Sequence, residues 1–79
     1  MKLLKFWKQG CVPCQYVTNI LDELEVEYEN VNALENEELR EKYKIQSVPV
    51  LILLDDNENI VGRVNGYDPM GIEQLTAKM

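Results

Sequence analysis

Two short apolar runs stand out along the chain, LLKFW at 3–7 and VLILL at 50–54. Both have the length of strands, and the second, unbroken by any polar residue, reads as a strand buried on both faces. Elsewhere apolar residues return at helical spacing. In CVPCQYVTNILDELE, Val17, Ile20, Leu21 and Leu24 fall at i, i+3, i+4 and i+7, one face of a helix. Pro13 lies in its first turn, where a missing N–H costs nothing. VEYENV at 26–31 alternates as a half-buried strand does. ALENEELREKY predicts a second helix, with Asn32 or Asn36 as cap and Leu39 and Tyr43 as an inward i, i+4 pair. DDNEN at 55–59 is a turn, and IVGRV at 60–64 completes a hairpin with the run before it. The last segment opens with Asp68 as N-cap and Pro69 at the first helical position, and Ile72, Leu75, Thr76 and Met79 form its stripe.

The order is therefore β-α-β-α-β-β-α. Strands joined through a helix run parallel with a right-handed crossover, so the first two strands should pair that way. The last two form an antiparallel hairpin. The expected architecture is an α/β fold, a four-stranded mixed sheet flanked by three helices. A length of 79 residues implies one domain, 1–79. A net charge of −6 removes the basic patch that a nucleic-acid partner requires. No segment approaches the ~20 apolar residues of a membrane span. The start, MKLLKFWKQG, has an apolar run too short for a signal peptide, interrupted at Lys5 and Lys8. The expected location is the cytoplasm.

The chemistry concentrates in GCVPC at 10–14, which holds the only two cysteines in a chain without histidine. Three uses are open. Zinc wants four ligands, and Cys-x-x-Cys supplies two, so a metal site would need carboxylates or a second chain. A copper-carrier domain with the same motif runs β-α-β-β-α-β, which is the wrong order. A structural staple across so small a loop removes little chain entropy, and cytosolic thiols are kept reduced. Thiol exchange fits better. Cys-x-x-Cys after a strand and opening a helix places Cys11 where free N–H groups and the helix dipole stabilise a thiolate. Cys14 lies one turn on and faces the same side. It can attack a mixed disulfide formed by Cys11.

KFWKQGCVPC resembles the active-site strand and motif of the thioredoxin family, including a Phe-Trp pair with Trp7 four residues before the first cysteine. YKIQSVPVLILLDDNENIVGRVNGYDPMGIEQL resembles that family's second half, and the similarity spans nearly the whole chain. The resemblance implies a cis peptide between Val48 and Pro49, with Pro49 against the cysteine pair. It implies that the Val48 backbone and Gly66 receive a bound peptide, and that Trp7 supports the active-site loop, with Val12 and Pro13 part of the contact surface. Three departures are visible. Ten residues precede Cys11, the proportions of a glutaredoxin. Gly10 and Val12 stand where thioredoxins carry Trp and Gly. Lys5, six residues before Cys11, stands where they carry a buried carboxylate, and so becomes a candidate modulator of cysteine pKa.

The resemblance implies a thiol–disulfide oxidoreductase, a small thioredoxin that reduces protein disulfides as a monomer and is itself reduced by a thioredoxin-reductase-type or other donor. It implies no cofactor beyond the Cys11–Cys14 disulfide and no metal, and the charge and hydropathy above leave no nucleic-acid or membrane partner expected. Two alternatives remain at this point. One is a glutaredoxin-like donor to a dedicated reductase such as ribonucleotide reductase, since Ser47-Val48-Pro49 and Gly66-Tyr67-Asp68 half match glutaredoxin motifs and NGYDPM resembles the small donors' C-terminal segment. The other is a non-catalytic thioredoxin-fold binding subunit. Phe6 and Trp7 can also be read as plain core, Pro49 as the start of an edge strand in trans, the acidic run from Asp22 to Glu29 as a solvated face, Asn65-Gly66 as a mere turn, and Lys5 as a snorkelling surface lysine.

Overall fold

The computed structural model describes residues 1–79. Seven elements follow in the expected order: β1 (Lys2–Trp7), α1 (Val12–Glu23), β2 (Glu29–Asn32), α2 (Glu37–Lys42), β3 (Val50–Leu54), β4 (Ile60–Asn65) and α3 (Pro69–Thr76). The sheet order is β2-β1-β3-β4. β1 pairs parallel with β2 and antiparallel with β3, and β3 pairs antiparallel with β4. No helix is long and apolar enough to cross a membrane.

β1 and β3 occupy the middle of the sheet, and alternation sends their side chains to opposite layers. Leu4, Phe6, Val50, Ile52 and Leu54 join Val31, Ala33, Tyr43 and Ile45 on one face. Leu3, Leu51 and Leu53 join Val17 and Leu21 of α1, Val64 of β4, and Ile72 and Leu75 of α3 on the other. All five residues of β3 are buried, which is why its sequence shows no alternation. Arg63 stitches β4 to the segment after α2, donating to the carbonyls of Tyr43 and Lys44. The 55–59 turn is closed by Asp55, whose carboxylate accepts the backbone N–H groups of Asn57 and Asn59 at 2.8 and 2.9 Å.

Three expected boundaries move. β2 begins at Glu29 rather than at residue 26. The chain leaves α1 through Glu25 at φ 55°, and the Val26 N–H closes back on the Leu21 carbonyl, so 26–28 cannot join the ladder. Val26 and Tyr28 still pack on the α1 layer, which produced the alternation. α2 covers only 37–42. Residues 33–35 turn instead, held by the Asn32 side chain accepting from the Leu34 N–H at 3.0 Å. Asn36 occupies the N-cap without a side-chain capping bond and donates to the Asn32 carbonyl. At the C-terminus α3 stops at Thr76, leaving Met79 beyond the helix and exposed rather than in its stripe. Leu24 likewise falls at the C-cap of α1 and is exposed.

Candidate active site

β1 ends at Trp7, and a loop containing Gly10, at φ 78°, delivers Cys11 to the N-cap of α1. Cys11 has extended backbone there, and its sulfur accepts the Cys14 backbone N–H at 3.1 Å. Sulfur thus takes the place a Ser or Asp oxygen holds at an ordinary N-cap. That donor and the helix dipole both favour negative charge on Cys11 Sγ. The two cysteines are joined as a disulfide. Cys11 is half-buried, whereas Cys14 is 3% exposed and in line with Val17 and Leu21 of the inward stripe.

The Val48–Pro49 peptide is cis. Cys11 Sγ lies 4.0 Å from the Val48 carbonyl oxygen, so the segment before β3 adjoins the sulfur pair. Pro49 is buried, and its carbonyl accepts the Gly66 N–H at 2.8 Å. That bond draws Gly66 to the same side. Gly66 sits at φ 79°, a conformation that favours glycine, and a Cβ there would project into open space. Val12 and Pro13 are exposed on the first turn of α1. Trp7 is half-buried and lines the same cavity as both cysteines. Trp7, Val12, Pro13, Val48, Pro49 and Gly66 therefore lie at one end of the sheet, around the disulfide.

That cavity, about 290 Å³, is lined among others by Lys5, Trp7, Cys11, Cys14, Thr18 and Asn30. Lys5 is 3% exposed and is the only buried charged side chain of the chain, so it does not snorkel to water. Its amine donates to Asn30 Oδ1 at 3.4 Å, a long bond. Desolvation pulls its pKa below 10.5, partly offset by attraction to Asp22. A larger groove of about 570 Å³ between β4 and α3 includes neither cysteine, and its size does not make it the site.

One feature of the site was not anticipated. Tyr16 of α1 and Tyr67, next to Gly66, meet in a tilted pair with ring centroids 5.6 Å apart while each remains 51% exposed. Tyr16 follows Val12 at i+4, which could have flagged an exposed apolar edge beside the motif. Its partner could not be read from spacing. No three His, Cys, Asp or Glu side chains gather into a metal-binding group.

A cysteine pair at the N-terminus of a helix, one sulfur reachable and one shielded, in this strand order, defines a thiol–disulfide oxidoreductase of thioredoxin fold. Residues 3–57 match the glutaredoxin family model. The chain is 30% identical over 79 residues to the SPbeta prophage-derived thioredoxin-like protein YosR of Bacillus subtilis, covering 100% of this chain and 99% of that one. It is 31% identical over 79 residues to the thioredoxin of Buchnera aphidicola, covering 92% of this chain and 73% of the relative. The reduced thioredoxin pre-protein of Schistosoma mansoni superposes with a TM-score of 0.83 at 26% identity, over 96% of this chain and 75% of that one. The chain belongs to the thioredoxin family, and over most of its length it also carries the glutaredoxin pattern.

Proposed function

We propose that the protein is a dithiol electron carrier that reduces disulfides in other proteins, acting as a monomer in the thiol-reducing cytoplasm and recharged by a thioredoxin-reductase-type donor. The unequal exposure of the two sulfurs carries this reading: Cys11 can be reached from solvent and Cys14 cannot. In the reduced protein the Cys11 thiolate attacks one sulfur of the target, releasing the other as a thiolate and leaving a mixed disulfide on Cys11. Cys14 then attacks Cys11 Sγ, and the second target sulfur departs. The target gains two electrons, and the Cys11–Cys14 disulfide is re-formed. The Val48 backbone and the open backbone at Gly66 receive the target chain. Val12, Pro13 and Trp7 border it, and Pro49 holds Val48 in place.

The test is reduction of insulin disulfides by the reduced protein. Parent protein is expected to turn insulin over, and Cys11→Ser to show none. An inactive parent would favour a binding subunit over an exchange enzyme, and turnover retained in Cys11→Ser would contradict the role given to Cys11. The match to the glutaredoxin model favours a second reading, a glutaredoxin-like donor to a dedicated reductase. Comparing reduction of the disulfide by glutathione and by an NADPH-dependent thioredoxin reductase separates the two.

A further inference from the structure

The mechanism above leaves one proton without a destination. Cys14 enters resolution as a thiol, and it is buried where bulk water reaches it poorly. No carboxylate lines the cavity the two cysteines share. What lines it instead is Lys5, the one buried charged side chain, on the same face of β1 as Leu3 and across from Cys14 and Thr18 of α1.

We propose that the Lys5 amine is the proton acceptor for Cys14, taking its proton as Cys14 resolves the mixed disulfide and returning it when the pair is reduced again. The inference rests on the reading of Cys11 as attacking thiol and Cys14 as resolving thiol. In the forward step the Cys14 S–H bond breaks and the proton passes to the Lys5 nitrogen lone pair across the cavity. The Cys14 sulfur bonds to Cys11 Sγ, and the target sulfur leaves as a thiolate with the electron pair of the broken disulfide. On recharging, a donor thiolate attacks the Cys11–Cys14 disulfide, Cys14 departs, and Lys5 gives the proton back.

The surroundings suit that exchange. In register beside Lys5 are Asn30 of β2 and Leu51 of β3, neither of which titrates. From α1 and the loop before it the ionisable groups are Cys11, Cys14 and, on the rim, Lys8, with Asp22 acting from further along the helix. Asn30 Oδ1 holds the amine without competing for its lone pair. Desolvation lowers the amine's proton affinity from its ordinary value, the direction that frees its lone pair to accept and later lets it give the proton back. An ordinary thiol of pKa ~8.5 is only about 3% ionised at pH 7, so an internal base can speed resolution by at most ~30-fold.

Reaction of the reduced protein with 5,5′-dithiobis(2-nitrobenzoate) separates the steps. The first release of thionitrobenzoate reports attack by Cys11, and the second reports resolution by Cys14. In the parent, the second-phase rate should bend at a pH well below the ~8.5 of a lone thiol. Lys5→Met should slow the second phase at pH 7 by about tenfold, move the bend back toward ~8.5, and leave the first phase within twofold. Lys5→Arg keeps the charge but cannot accept a proton, so it should fail to restore the rate. An unchanged second phase in Lys5→Met, or full rescue by Lys5→Arg, overturns the proposal. So does a parent bend at an ordinary thiol value, which needs no variant. Loss of both phases in the parent, by contrast, would refute the exchange reading beneath it.

Discussion

The two faces of the sheet use the same central strands, yet they end differently. On the α2 side Leu4 and Phe6 continue into Val50, Ile52 and Tyr43 with no buried charge, and Phe6 meets Tyr43 edge to face with ring centroids 6.0 Å apart. On the α1 side the row along β1 begins with Leu3, fully within the core, and then turns polar at Lys5 and half-open at Trp7. The second row points at α1 just where Cys14 enters the interior. One face is spent on stability. The other gives up part of its apolar packing to place a titratable group beside a buried sulfur.

The largest contrast is expected from truncating each row. Phe6→Ala should destabilise the protein by about 3–5 kcal/mol, a large share of the 5–15 kcal/mol typical of a domain. Urea unfolding measures it, and the reactivity of Cys11 in the folded fraction should not change. Lys5→Met should do the reverse, stabilising the fold and altering the thiols. The sign of its pH dependence follows from the lowered lysine pKa. Below that folded value the lysine is charged in both states, and burying it costs the full desolvation penalty. Between the folded value and 10.5 the unfolded chain binds more protons, so parent stability rises with pH. The advantage of Lys5→Met in urea melts should therefore be greatest at acidic pH, below the lowered folded value, and shrink as pH rises from there toward 10.5.

Smaller effects sharpen the boundary between the faces. Asp68 caps α3 by accepting the Gly71 N–H at 3.1 Å, and Asp68→Ala should cost about 1 kcal/mol with no change in thiol chemistry. Lys2 pairs with Glu29 at 3.0 Å on the surface, and Lys2→Gln should leave urea midpoints unmoved within error. A detectable loss there would mean that the edge pairing of β1 with β2 supports the cavity, contrary to the division drawn between the rows.

Much of this is legible in the sequence itself. β3 could be bounded to the residue because a strand buried on both faces is an uninterrupted apolar run, and α3 was announced by Asp68 and Pro69. β2 slipped because Val26 and Tyr28 are apolar for packing, not for pairing; what excludes them is a left-handed residue at Glu25 that leaves no mark in hydrophobic spacing. The cysteine pair announced itself by spacing and position. Pro49 and Gly66 came only through family resemblance, since a cis bond and an open backbone have no local signature. Lys5 was ambiguous in sequence: alternation put it on the α1 face, but a lysine stem can reach water from there. Only the packing around it removes that route.

The division of labour between the sulfurs is tested most directly by trapping. Cys14→Ser, reduced and mixed with a disulfide-bonded protein, should accumulate a stable one-to-one mixed disulfide through Cys11, seen by mass spectrometry of the intact adduct and its peptides. Cys11→Ser under the same conditions should accumulate none. A stable adduct through Cys14 in Cys11→Ser, with none in Cys14→Ser, would contradict the assignment of attacker and resolver on which the mechanism stands.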